Sequence, residues 1–333
     1  MRLATLVTGA AGNGAQSALH PAGVNAARIR DLLGAYTGVA AVVFVLVVGC
    51  ALFALARRRA RPGEDMAPQR HPAPARERRT VRIVESLSVL TALTLLGLTL
   101  ADFRTRHAMA ALDARQELTV KVTGHQWWWD FEYQDARPDR IVTSPNELHL
   151  PVGRVVRFDL AAHDVIHSFW IPTLHGKKDL LPGESSSTTL RPDRVGTYYG
   201  QCAEFCGMQH ATMRFVVVVE PPDRFARWLD AQRAPAAEPA TASTQRGRAL
   251  FLGGPCVLCH AVSGTPAAAR LGPDLSHVGG RLALASAALP NTRDHLTRWV
   301  GDAPGTRPGV MMPPTAMSPR DVDDLVNYLA SLK

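Results

Sequence analysis

Four of the five cysteines fall in two close pairs, each followed by a histidine, and such spacing belongs to metal or cofactor chemistry rather than to disulfide bracing. Cys256-Val257-Leu258-Cys259-His260 is a C-x-x-C-H. Two thiols on one helical turn can add to the two vinyl groups of a haem, while the adjacent His offers a nitrogen to the iron. A zinc or redox C-x-x-C would leave that His unexplained. A sixth iron ligand should follow towards the C-terminus. Met311 and Met312 precede Pro313-Pro314 there, and Met312, which abuts the prolines, is the better candidate. The second cluster is Cys202-x-x-x-Cys206-x-x-x-His210-x-x-Met213, with His167 upstream. Two thiolates and two imidazoles suit a soft or borderline metal. A closed tetrahedral zinc site, a Cys202–Cys206 disulfide and a thiolate-bridged copper pair all remain open on residue types alone. Only the copper pair uses Met213, and only an electron-transfer site gains from the neighbouring aromatics.

These clusters need elements to hold them. Residues 117–160 alternate apolar and polar in the manner of strands, as do TYYGQC (197–202) and MRFVVVVE (213–220). Gly and Pro punctuate the runs, so an antiparallel sandwich or barrel is expected over 115–232, closed by a helix at 223–232. Ala- and Pro-rich 233–244 reads as a linker. Residues 245–333 carry helical patterning at both ends, with Gly/Pro-rich loops between.

Ahead of these lie two apolar runs. Residues 32–56 contain no charge, and 83–102 contain Glu85 and Asp102 only. Each is long enough to cross a hydrocarbon layer of about 30 Å. The net charge of +8 would by itself suggest nucleic acid or an anionic surface. Nine Arg against three acids between 57 and 82 place six of those eight charges in the loop between the runs. The positive-inside rule then makes the loop cytoplasmic and both metal clusters external, with no nucleic-acid partner. A mean hydropathy of −0.03 excludes a polytopic membrane protein. The expected order is an external N-terminal segment (1–31), two membrane helices (32–56 and 83–102) flanking the Arg-rich loop (57–82), the β domain, the linker and the haem domain.

The motifs resemble two families. Residues 245–333 are similar to class I cytochromes c, which implies that Gly247–Phe251 belongs to a first helix packed against a closing helix bearing Leu325, Tyr328 and Leu329. It also implies that Pro273 buttresses His260, and it leaves Arg281 as either a propionate contact or a surface cation. The chain from 17 to 232 resembles cytochrome c oxidase subunit II, through His167, Cys202-Ala203-Glu204-Phe205-Cys206, His210 and Met213. That resemblance implies a cupredoxin-like domain with a binuclear copper centre, CuA. His167, Cys202, Cys206, His210 and Met213 would bind through side chains, and Glu204 through its carbonyl, with its carboxylate on a magnesium ion. It further implies electron entry at Trp127 of the Trp127-Trp128-Trp129 triad, packing roles for Trp129 and Tyr133, and structural or ordinary roles for His125, His149, His163 and His175. Glu85 stands where the family places a carboxyl at the mouth of a proton channel; its other reading is a side chain reaching the cytoplasmic interface.

A haem domain fused behind the copper domain is similar to the caa-type oxidases of bacteria. The expected partners are oxidase subunits I and III and a cytochrome c or bc complex as donor, at the bacterial inner membrane. This chain offers no oxygen-binding site, so oxygen reduction with proton pumping would belong to subunit I. Three rivals remain: the copper-containing nitric oxide reductases, which also use a CuA subunit; quinol oxidases, which lack the copper ligands; and a zinc-stabilised periplasmic metal-binding module, which would not need C-x-x-C-H.

Overall fold

The computed structural model describes residues 15–59 and 74–333 and divides into two units: a helical pair, 28–111, and a globular unit formed by the described residues up to Ala27 with Leu112–Lys333. Of the Arg-rich loop, Arg61, Glu64, Asp65 and Arg70 lie outside the described residues.

The pair consists of α1 (Val24–Arg59) and α2 (Pro74–Ala110). Both run beyond the apolar stretches into charged ends, and at 36 residues α1 is about 54 Å long, more than a bilayer core requires. Val43, Phe44, Val45, Leu46, Leu93 and Leu95 each leave more than half their surface uncovered, far more apolar area than a water-facing surface carries. Thr91, Thr94 and Thr99 turn their hydroxyls back onto the carbonyls four residues earlier at 2.8–2.9 Å, which hides a donor that lipid could not satisfy. Glu85 lies exposed on α2 within the candidate span.

The β domain is a sandwich of two five-stranded sheets. One sheet holds β1 (Leu118–His125), β2 (Trp128–Tyr133), β3 (Val142–Thr143), β5 (Val156–Ala162) and β8 (Ser186–Leu190), in the order β3-β2-β1-β5-β8. The other holds β4 (Glu147–Pro151), β6 (His167–Trp170), β7 (Lys178–Leu180), β9 (Gly196–Cys202) and β10 (Arg214–Glu220), in the order β4-β10-β9-β6-β7. The sheets are not purely antiparallel as expected: β1 pairs with β5, and β4 with β10, in parallel. The chain crosses between sheets from β3 to β4 and back to β5, so each sheet receives a strand whose direction a hairpin would not have given. Alternate residues point inward, and Val120, Val122, Trp129, Phe131, Phe158, Phe169, Phe215 and Val217 fill the space between the sheets. Trp129, Phe131, Phe169 and Phe215 meet ring to ring at 5.1–6.4 Å, so Trp129 is packing, as is buried Tyr133.

The described part of the N-terminal segment packs on the sandwich. Ala22 and Ala26 are buried on the sandwich, Gly23 bridges to Pro192, and Asn25 donates to the Thr189 carbonyl at 3.1 Å. Helix α3 (Pro222–Gln232) covers the sandwich's edge with Phe225 and Trp228. The linker is held along its length: Arg233 reaches the Arg140 carbonyl, Ala236 pairs with Ser263, and Glu238 meets Arg248. Its last residues already form the start of the next helix.

The haem domain packs α4 (Ala242–Gly253) across α7 (Pro319–Ser331). Thr241 and Thr244 form a reciprocal cap at the start of α4. The crossing is possible because residue 247 is Gly: a Cβ there would lie 2.1 Å from the Asp324 carbonyl and 2.7 Å from the Tyr328 Cβ. Leu325, Tyr328 and Leu329 are buried with Phe251, as the cytochrome resemblance implies. Between the two helices run a short hairpin, β11 (Ala283–Leu284) and β12 (Leu289–Pro290), then α5 (Arg293–Gly301) and the single turn α6 (Ala303–Thr306). The hairpin covers the outer face of β10. Val216 clusters with Ala283 and Ala287, with Val218, Tyr199 and Leu282 against them. The run of four valines in β10 is therefore covered on both faces, Val218 only in part.

Candidate functional site

The strand ends and one loop bring the copper-type residues together. His167 opens β6, Cys202 closes β9, and the turn between β9 and β10 carries Cys206, His210 and Met213. Phe169 is paired with Cys202, which fixes the register that brings His167 and Cys202 to the same end of the sheet. The ligating atoms of His167, Cys202 and Cys206 lie within 4.8 Å of one another. Cys202 Sγ is 3.9 Å from His167 Nδ1 and 3.2 Å from the Glu204 carbonyl. Cys206 Sγ is 3.6 Å from His210 Nδ1 and 3.7 Å from Met213 Sδ. All six residues singled out in the sequence converge, each imidazole facing a different sulfur. A disulfide is not formed: both cysteines are free thiols.

The protein environment prepares the thiols. A hydrogen bond from Cys206 holds the Cys202 thiol far below the usual range, opposing burial and aided by His167 and the Glu204 backbone. Cys206 moves the opposite way, because the bonded neighbour and burial both disfavour a second thiolate. A pair that cannot lose both protons unaided is suited to soft cations that displace the second. Burial lowers the pKa of His167, but hydrogen bonds to Cys202 and Asp164 reverse this and leave it raised. His167 Nε2 meets Asp164 Oδ1 at 2.8 Å, fixing the ring with Nδ1 towards the sulfur. Asp164 also accepts the Gln126 and Val165 backbone N–H groups, and its hydrogen bonds outweigh burial to keep its pKa low. No role was read for Asp164 in the sequence; its only signal is the position three residues before His167.

Trp127 is only partly covered and packs against the edge of the core. Its indole Nε1 donates to the Cys206 carbonyl at 2.9 Å, beside Gln126 Nε2 at 2.8 Å. Gly207, with φ at +110°, leaves room for it: a Cβ there would stand 3.1 Å from Trp127 Cζ2. Trp128 stacks on His125 at 4.1 Å, and burial lowers that His to about 4, with His163 adding to the shift. His175 is buried in hydrogen bonds to Gly176 and Thr188. His149 is not ordinary. It lies between Glu220 at 2.8 Å and Glu147 at 3.2 Å, stacked under Trp228. Burial lowers its pKa, but the two carboxylates overcome that and leave it raised.

In the haem domain, Cys256 and Cys259 sit on and beside a 3-10 turn, 255–258, and are half-buried. His260 Nδ1 bonds the Pro273 carbonyl at 2.7 Å, so Nε2 is left for a ligand, and burial lowers the His pKa towards the neutral form that binds iron. Gly272 lies flat against the ring, where a Cβ would come 2.8 Å from Cε1. Two thiols, an oriented imidazole and a glycine-lined face fit a covalent haem. Met311 is 72% exposed and Met312 is partly covered, on the same Gly/Pro-rich loop. Arg281 is half-buried rather than a free surface cation and donates to the Asp274 carbonyl.

Two family models and several relatives match the chain. Residues 136–220 match the family described as cytochrome c oxidase subunit II, periplasmic domain, and residues 244–333 match the cytochrome c family. Cytochrome c oxidase subunit 2 of Alkalihalophilus pseudofirmus is 34% identical over 99% of this chain and 95% of its own length. The subunit 2 of Bacillus sp. PS3 is 33% identical over 70% of this chain and 68% of its own. The periplasmic domain of subunit II from Bradyrhizobium japonicum is 32% identical over 35% of this chain and 94% of the solved one, with a TM-score of 0.34. The two domains imply copper in the form of CuA and haem c, and the two apolar helices make the protein membrane-anchored. With a relative matched almost end to end, the chain belongs to the cytochrome c oxidase subunit 2 family, as an electron-transfer subunit of a haem-copper terminal oxidase carrying its own cytochrome c domain.

Proposed function

We propose that this chain relays electrons from an external reduced cytochrome or a bc complex, first through a haem held by Cys256, Cys259, His260 and Met312. The relay continues through a copper pair held by His167, Cys202, Cys206, His210, Met213 and the Glu204 carbonyl, to subunit I, where oxygen is reduced and protons are pumped. The bound groups supply one-electron chemistry; the chain supplies their placement. The observation that carries the reading is the meeting of two thiols, two imidazoles and a thioether at one end of a rigid sandwich. A zinc module would use four of these and leave Met213 idle.

Asp164 keeps His167 in the ligating orientation. Trp127, bonded to a ligand's carbonyl and only partly covered, is the electron-entry residue. The Glu204 carboxylate, half-exposed and paired with Lys177 at 4.0 Å, would exchange that partner for magnesium at the face turned to subunit I. Phe205, 75% exposed beside it, would be buried by such a partner. The Arg-rich stretch 57–82 faces the cytoplasm and both metal domains the other side of the bacterial inner membrane. Glu85, exposed on α2, would supply a carboxyl to a proton channel of subunit I. A nitric oxide reductase subunit would share the copper site, and the covalent haem domain favours the oxidase.

The test uses the full chain in detergent, because residues 22–26 belong to the sandwich and a fragment beginning at 115 would lack them. The expected result is one covalent haem and a copper EPR signal spread over two nuclei. Met312→Ala should remove the low-spin haem spectrum and Met311→Ala should preserve it. A mononuclear copper signal, or zinc alone, would overturn the copper assignment.

A further inference from the structure

Arg307 lies in the haem domain, at the end of α6 and five residues before Met312, and only 6% of it is exposed. Among the described residues it has no acidic partner. Its guanidinium is spent on neutral acceptors, most of them in the copper-binding turn. Nε and Nη2 both reach Gln209 Oε1, at 3.2 and 3.0 Å, and Nη2 also reaches the Thr212 carbonyl at 3.3 Å and the Thr212 hydroxyl. Nη1 donates to the Ala285 carbonyl at the tip of the β11–β12 hairpin. Gln209 answers by donating to the Pro308 carbonyl. Gln209 and Thr212 flank His210, and Thr212 directly precedes Met213. Burying a cation without a counter-charge is expensive, and desolvation lowers this one to about 10, so the fork geometry must be over-determined by its surroundings.

A second observation points to the same contact. Ala285, Ser286 and Ala287 are consecutive residues at φ of 51°, 56° and 57°, a left-handed run that non-glycine residues rarely adopt because Cβ crowds the following carbonyl oxygen. Such strain persists where tertiary contacts hold it. Here the tip is pinned: Ser286 Oγ donates to the Trp127 carbonyl, the Arg214 amide donates to the Ser286 carbonyl at 3.3 Å, and Arg307 holds Ala285. Nearby, the Leu282 amide donates to Glu147 Oε2 at 2.7 Å.

We propose that Arg307 is a positioning residue that clamps the loop leading to Met312 onto the turn bearing His210 and Met213, fixing the two redox centres relative to each other. This rests on the copper and haem assignment above. The clamp makes internal electron transfer a step within one rigid body rather than an encounter between tethered domains. Its fixed positive charge also favours the copper pair after it has gained an electron, since that state carries one positive charge fewer.

Three variants of the full chain test this: Arg307→Gln, Arg307→Lys and Ser286→Ala. The first readout needs no metal. Hydrogen exchange at the Arg214 and Leu282 amides, both bonded across the contact, should quicken at least tenfold in Arg307→Gln and less in Ser286→Ala. Amides within the β1–β5 ladder should not change. The second readout is the copper midpoint potential, which should fall in Arg307→Gln and be largely restored in Arg307→Lys. The third is internal transfer between haem and copper after flash reduction, which should slow and become viscosity-dependent in Arg307→Gln. Unchanged exchange at both amides would overturn the clamp. Faster exchange with unaltered potential and transfer rate would reduce Arg307 to a structural contact and overturn the positioning role. A wild-type chain lacking the two-nucleus copper signal would instead overturn the underlying metal assignment, while the exchange data would still decide the clamp.

Discussion

The two metal-binding regions of this chain are built in opposite ways. The copper-type cluster draws on β6, β9 and the β9–β10 turn, and three of its residues are held by neighbours: Asp164 sets His167, the Phe169–Cys202 pairing sets the register, and Trp127 and Gln126 hold the Cys206 carbonyl. Cys202, Cys206, His167 and Met213 are buried and belong to or border the large sandwich core. The haem-type cluster is one short run of sequence on a 3-10 turn, completed by a Gly/Pro-rich loop whose Met311 lies exposed. Its core is smaller and contains none of the aromatic network that fills the sandwich. A scaffold with its own packed core can pre-form a metal site, whereas a small helical domain with long loops gains much of its core from the haem it encloses.

That contrast can be broken most directly by withholding each group in turn. Chelating copper from the full chain should leave a cooperative melt of the sandwich. Cys256→Ala/Cys259→Ala, which prevents haem attachment, should abolish the transition of 245–333 and its near-UV dichroism. A haem-free domain that melts cooperatively near the parent temperature would refute the contrast. Next in size is His149→Ala, which leaves Glu147 and Glu220 buried around a missing partner and should destabilise the sandwich by about 3–5 kcal/mol in chemical denaturation. The pH dependence follows from the raised pKa of His149. Its contribution is complete below the unfolded value near 6.5 and is lost as pH rises through the folded one, so the wild-type margin over His149→Ala should shrink towards high pH. A margin that grows with pH would show that the imidazole is held neutral instead. Smallest in stability is Asp164→Asn: the melt should hardly move, while copper affinity by competitive titration should fall roughly 10–100-fold. An unchanged affinity would mean that His167 needs no aiming.

Much of this was legible in the residues. C-x-x-C-H, the paired cysteines and the charge of the 57–82 stretch depend on neighbours along the chain, and local spacing is what a sequence displays. The β10 run of four valines held more than was read from it. A half-exposed strand should alternate, and the continuous run signals a second covering layer, which the haem domain provides. His149 carried no such signal, because its partner Glu220 is identified only by the pairing of β4 with β10, and Asp164 carried only its place three residues before His167, which does not say that the two side chains meet. The parallel strand pairs were equally hidden, since hydrophobic alternation is the same in either direction.

By itself, the sequence determined that two clusters have the residue types and spacing of metal or cofactor chemistry, that two stretches are apolar enough to span a bilayer, and the order of the copper-type and haem-type regions, because each rests on residue type and short-range period. The tertiary structure alone decided how the haem domain meets the copper domain. Arg307 reads in the sequence as one more cation before a proline; only the approach of Gln209, Thr212 and Ala285 from distant parts of the chain makes it a buried clamp. Contacts of that range are selected by which packed arrangement buries the most apolar surface with its polar groups satisfied, and no local pattern records that outcome.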